Sequence, residues 1–425
     1  MKNLSCALGL GVFCCISVPL LSCSQETNTK EPVDEAWRHS FYTMVTQSDI
    51  SIPELYVQEY MDMFLRVVET RGALIPDKYL RGSPEPVRYQ SLVVSLHWLR
   101  KAEDKRVLPL LEQLLYSDRW GTGAACMLLD FEGVSAMAKV APVLKWADWS
   151  GSRFLVESIE KHPTRIGVVA LRSFIADREG FRCWAEPVKW AKEALEKMKQ
   201  TLSDTGAVPE IPQEESKVQI TPMTDEVREL AYTILWDANR YEELKVPEEQ
   251  KEDFARLLLK MVKSRGALYP EKYFTRADAT PEEVREQVCG QAIDWLFHMK
   301  DERLVHLLNQ LIYSEKYCRI ASDRLLKIEG ASAMKSIAPT LRWMDAVHGD
   351  YIMTLFERYP TQEGIEALRQ FIADRTGFKC WEETVLKAKQ TLTRVEQSIG
   401  STVPAVPAQE TSHEEKPTTE NTPPK

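Results

Sequence analysis

The sequence predicts an all-α chain, built from two copies of one helical module joined by a proline-rich linker. Three observations predict it. The stretch FIADREGFRCW at 174–184 returns 197 positions later as FIADRTGFKCW at 371–381, with nine of eleven residues identical. Apolar residues recur at helical spacing in matched places of both copies, and no run alternates apolar and polar residues long enough for a sheet. Glycine, serine and proline stops punctuate both copies at the same points.

RGALIPDKY at 71–79 matches RGALYPEKY at 265–273, 194 apart; beyond it the offset is 197, pairing Trp98 with Trp295 and Met137 with Met334. Three residues were therefore gained between Phe274 and Thr280, which suits a surface loop because no core register is lost there. The expected division is a leader at 1–22, a tether at 23–36, modules at 37–202 and 224–399, a Pro/Glu-rich linker at 203–223 and a disordered tail at 400–425.

Each module reads as helix after helix. Tyr60, Phe64, Val67 and Val68, like Phe254, Leu258, Met261 and Val262, form one apolar face, and Arg71-Gly72 or Arg265-Gly266 ends the helix where glycine takes a left-handed cap. The next helix opens at Ser83-Pro84-Glu85 or Thr280-Pro281-Glu282-Glu283, an N-cap followed by proline and, in the second copy, a capping-box glutamate. Val107, Leu110, Leu111, Leu114 and Leu115 follow, repeated by Leu304, Leu307, Leu308, Leu311 and Ile312, then a turn at Ser117-Asp118 or Ser314-Glu315. A short helix ends at Glu132-Gly133 or Glu329-Gly330, and Ser135 or Ser332 is expected to cap another with the stripe Met137, Val140, Ala141, Leu144 or Met334, Ile337, Ala338, Leu341. Two more helices stop at His162-Pro163 or Tyr359-Pro360 and at Gly180 or Gly377. The last is heptad-like: Val188, Ala191, Leu195, Met198, Leu202 and Val385, Ala388, Leu392, Val395, Ile399. So short a seam suits a helix laid on its own module; a homodimer through Val188, Leu195 and Leu202 or Val385, Leu392 and Ile399 is the other use.

The segments VLPLLEQLLYS, GVSAMAKVAPVLKW and RIGVVALRSFIAD, with their second-copy partners, resemble HEAT-like α-solenoids. The resemblance covers about 70 residues per module and implies stacked helix pairs, an α-α superhelix whose groove holds a partner.

Lys2 precedes an apolar run at about 7–21 that ends in Leu20-Leu21-Ser22-Cys23 and is similar to a bacterial lipobox, although Leu21 stands where a small residue is more usual. The resemblance implies cleavage before Cys23, acylation of that cysteine and attachment to a membrane in the cell envelope. The formal charge is -9, or -10 once Lys2 leaves, with no basic block, so nucleic acid is a poor ligand. Cys126 and Cys318 align with Asp323 and Gly121, which argues against a shared disulfide framework; Cys183 and Cys380 match and read as small buried hydrophobes.

Catalytic signatures are missing from the sequence. HExxH, a phosphate loop, GxSxG and CxxC do not occur, and His97 and His162 align with Asp294 and Tyr359. No catalytic residue, metal ligand or cofactor is therefore expected. Asp177-Arg178 and Asp374-Arg375 read as ion pairing and capping near a helix end. Trp98/Trp295, Trp146/Trp343 and Trp184/Trp381 read as core anchors, whereas Trp120, Trp149 and Tyr317 fall in predicted loops, where an aromatic packs or contacts a partner. The expected protein is a non-catalytic envelope lipoprotein that scaffolds a protein partner; the alternative is a secreted or periplasmic hydrolase or glycan-binding protein.

Overall fold

The computed structural model describes residues 41–43, 45, 52, 54–75, 79, 84–179, 181, 184–204, 223–236, 246–273, 280–376 and 381–402. The leader, the tether with Cys23, nearly all of the linker, the tail beyond 402, the 274–279 insertion, and Ser83, Gly180, Cys183, Gly377 and Cys380 lie outside these residues.

All regular structure among the described residues is helical. The first half runs α1 (Val57–Glu69), α2 (Pro84–Lys101), α3 (Leu108–Leu114), α4 (Gly121–Glu132), α5 (Met137–Val140), α6 (Trp149–Lys161), α7 (Arg165–Arg178) and α8 (Ala185–Asp204). After α9 (Asp225–Trp236), the same order returns as α10 (Lys251–Lys263), α11 (Pro281–His298), α12 (Arg303–Leu311), α13 (Cys318–Glu329), α14 (Met334–Ile337), α15 (Ala346–Arg358), α16 (Gln362–Arg375) and α17 (Glu382–Thr402).

Local chemistry sets the helix starts. Asp148 and Asp345 accept the amide N–H of Gly151 and His348 at 2.5 and 2.7 Å, and Thr164 and Thr361 accept those of Gly167 and Gly364 at 3.0 and 3.2 Å. Thr280 and Glu283 form the expected capping box. Ser135 and Ser332 do otherwise: each hydroxyl donates to the carbonyl of Glu132 or Glu329 at 2.7 Å instead of capping. The helix expected after them is also broken. Only one α turn forms, continued as a 3-10 stretch over Ala141–Lys145 or Ala338–Arg342, because Pro142 and Pro339 offer no N–H to an α-helical bond. The apolar stripe survives the change, with Met137, Val140, Leu144 and their partners all buried.

Each half has its own core, and each core takes in one residue of the other. Ala73 packs in the core of the second half, and its counterpart Ala267 in that of the first. Phe174 and Phe371 meet Trp184 and Trp381 edge to face at 6.0 and 5.9 Å, beneath the buried Arg178 and Arg375. The aspartates beside these arginines ion-pair as expected, but with Lys260 and Arg66 of the other half, not with the arginines. The arginines donate to the carbonyls of Lys145 and Arg342, each at 2.5 Å, and lie over the aromatic rings.

The closing helices pack on their own halves, α8 against α6 and α7, and α17 against α15 and α16. Val188, Leu195 and Val385 are buried there, with Leu202, Leu392 and Ile399 packed on the same cores. Half of the seam considered for a homodimer is thus buried within the chain, while Leu202, Leu392 and Ile399 stay partly exposed.

Candidate functional site

The residues that recur most faithfully converge on the contact between the halves. Helix α1 ends in a Schellman-type turn, in which Gly72 N–H bonds Val67 O at 2.8 Å and Arg71 N–H bonds Val68 O at 3.1 Å. Arg71 and Gly72 are both left-handed, at φ +48 and +76, and Arg265 and Gly266 repeat this at φ +49 and +75, so the first of the two left-handed positions carries an arginine. A side chain there costs about 1 kcal/mol relative to glycine, so the arginine is held by what its side chain touches.

Arg71 pairs with Glu315, donates to Tyr313 O at 3.1 Å and lies 3.7 Å from the ring centre of Trp343. Arg265 repeats this across the contact, pairing with Asp118, donating to Tyr116 O at 2.6 Å and lying 4.9 Å from the ring of Trp146. Glu315 also accepts from Ser117 Oγ at 2.7 Å and the Asp118 amide at 2.8 Å, while Asp118 accepts from Ser314 Oγ and the Lys316 amide. Outside this pair, Arg66–Asp374 and Lys260–Asp177 are matched ion pairs, both 2.7 Å. Trp381 Nε1 donates to Ala73 O at 3.1 Å. For the two arginines, their acid partners and the two outer ion pairs, contact i to j is answered by j to i, the pattern of a twofold interface, here inside one chain; the Trp381 bond is not, since Trp184 Nε1 has no hydrogen-bond partner.

Burial draws the Arg71 pKa downward, opposed by the Glu315 and Asp118 carboxylates; a guanidinium keeps its proton even so. Arg-Gly and Ser-acid read as a helix stop and a turn in sequence. The signal that was present is their opposite charge and their shared recurrence in both copies.

Trp146 and Trp343 are therefore platforms at the contact. Trp120 is buried and stacked on Tyr89 at 4.5 Å, and Tyr317 is 4% exposed, so neither stands out from a loop to meet a partner. Tyr317 also lines a cleft of about 790 Å³, beside Glu286, Asp294, Asp323 and Tyr351. Asp294 and Asp323 are both bound by Arg324 there, and Glu283 is the capping-box partner of the N-cap Thr280.

Trp149 differs, being 51% exposed at the start of α6. Its ring meets Trp190 of α8 at 5.2 Å, and Arg153 lies 5.6 Å from the Trp190 ring. Sequence reading missed Trp190 because its α8 position followed from the heptad stripe alone. The second half puts Ala346, Asp350 and Lys387 at these three places, with Asp350 and Lys387 ion-paired at 2.5 Å.

His348 Nδ1 sits 2.8 Å from Asp345 Oδ1, a contact that accompanies the cap of α15. Cys318 is nearby and buried, and burial pushes its thiol up to about 12, with Glu315 adding to the rise. Cys289 is likewise pushed up to about 12 by burial. A cysteine nucleophile needs the opposite shift. Among the described residues no group of three His, Cys, Asp or Glu side chains is placed to hold a metal, and no helix is long and apolar enough to cross a membrane.

No family model, curated protein or solved structure matches the chain.

Proposed function

We propose that this protein is a non-catalytic lipoprotein of the cell envelope, tethered through acylated Cys23, whose two HEAT-like modules form one rigid scaffold that docks a protein partner through Trp149, Arg153 and Trp190. The exposed aromatic pair carries this reading. Two tryptophans and an arginine are the residue types that dominate binding energy at protein interfaces, and they stand where the other half has an alanine and an ion pair. The recurring residues, by contrast, hold the halves together. A scaffold needs that division, constant where it packs and different where it binds.

The test is capture from envelope extract with the mature chain, comparing wild type with Trp149→Ala/Trp190→Ala. Loss of a specific protein by tenfold or more is expected, and a photo-crosslinker at position 149 should label that same protein. Identical capture by both chains would remove the proposed surface. Release of the chain by soluble envelope glycans, with no protein captured, would favour the glycan-binding alternative, whose sugars would stack on the same rings. Palmitate labelling of wild type, lost in Cys23→Ser, is expected for the anchor; equal labelling of both would refute it.

A further inference from the structure

A second departure from the internal symmetry lies in the cleft beside the central contact, between α10 and the 3-10 stretch Ala141–Lys145. On one side of the symmetric contact, Glu69 at the end of α1 pairs with Arg342. The matched positions on the other side are Lys263 and Lys145, so an ion pair is replaced by two cations lining one cleft. Lys263 stays solvent-exposed, and partial desolvation against the cleft walls, reinforced by Lys145 and Arg303, holds its ammonium below the usual lysine range, with Asp301 opposing.

The carboxylates around the cleft already have cationic partners. Asp177 meets Lys260 at 2.7 Å, and Arg303 meets Asp301 at 2.6 Å and Glu252 at 2.9 Å. Glu252 also takes Arg256 at 3.1 Å. Lys145 and Lys263 are thus the excess positive charge of a cleft of about 320 Å³. Its wall includes the buried Leu259 and Leu268. The space suits a small molecule, and a low-dielectric wall beside two ammonium groups strengthens their attraction for an anion.

The geometry points to a binding site for a small organic anion, with a phosphate or carboxylate head between Lys145 and Lys263 and a short apolar body against Leu259 and Leu268. An anion bound there supplies the charge that Glu69 supplies on the other side, and it bridges both halves of the chain, since Lys145 belongs to the first and Lys263 to the second.

The experiment is thermal unfolding of the mature chain in millimolar inorganic phosphate or succinate, at ionic strength held constant with chloride, followed by calorimetric titration with the better anion. Wild type and Lys335→Glu, which makes the same charge change at an exposed site elsewhere, should both gain melting temperature. Lys263→Glu builds a carboxylate opposite Lys145. It should melt higher than wild type without anion, lose more than half of the anion-induced rise, and bind the anion at least tenfold more weakly. A stronger response to phosphate than to succinate assigns the head as phosphate, and the reverse as carboxylate. The site is overturned if neither anion raises the wild-type melting temperature, or if Lys263→Glu responds as wild type does, which is the behaviour of general salt exclusion.

Discussion

Replacing Arg71 with alanine should destabilise the protein by about 3 kcal/mol. The Arg71 side chain is 8% exposed, so its removal leaves a carboxylate that it had neutralised at a buried contact. Breaking a buried pair costs roughly 3–5 kcal/mol. Glu315 is 35% exposed and keeps its bonds from Ser117 Oγ and the Asp118 amide, which moves the value to the lower end. The lost bond to Tyr313 O and the lost stacking on Trp343 would each be about 1 kcal/mol alone, but they belong to one unit and do not add. Alanine at φ +48 keeps the backbone cost that arginine bears, so Arg71→Gly should be milder than Arg71→Ala by about 1 kcal/mol. Arg71→Lys should recover less than half of the loss, because an ammonium cannot fork between Glu315 and the carbonyl while lying flat on a ring. Urea unfolding followed by circular dichroism measures all three. A loss below 1 kcal/mol for Arg71→Ala, or full stability in Arg71→Lys, would refute the reasoning.

Other outcomes follow from packing and burial. Phe371→Ala should cost about 3–5 kcal/mol in urea unfolding, since the ring is fully buried against Trp381 and Arg375; a loss below 1 kcal/mol would mean that the ring is not core. Gly266→Ala should cost roughly 2–5 kcal/mol, combining left-handed strain at φ +75 with a Cβ placed 2.2 Å from Arg285 O, and a neutral effect would contradict the close approach of α10 and α11. Cys318 titrates at about 12 in the folded chain and near 8.5 when unfolded, so its contribution is intact below pH 8.5 and declines as pH rises toward 12. Between pH 7.5 and 9.5 the thiol should lose about 1 kcal/mol of stability, a loss absent in Cys318→Ala; equal pH dependence in both chains would show the thiol to be solvated.

Helix content was legible because it rests on local periodicity. Tyr60, Phe64, Val67 and Val68 could be placed on one face from spacing alone, and all four are buried. Proline chemistry around Pro142 and Pro339 was legible too, yet the regular stripe of Met137, Val140, Ala141 and Leu144 masked it, since a 3-10 stretch can continue a stripe for a few residues. The contact between the halves was not readable in any one window. Arg71 and Glu315 are 244 positions apart, and each has a sufficient local explanation as a helix stop or a turn. Their joint recurrence becomes informative only when the duplication is taken to impose reciprocal contacts. The aromatic surface was half visible: Trp149 stood out as a tryptophan in a loop, while Trp190 lay on the rim of a helix already explained by its apolar seam.

The central claim is that the matched arginines make the two halves one cooperative body, and differential scanning calorimetry of the mature chain tests it most directly. A single two-state endotherm is expected for wild type, separating into two transitions in Arg71→Ala/Arg265→Ala, because each half has a core of its own. Two independent transitions in the wild-type chain, unchanged when both arginines are removed, would contradict it.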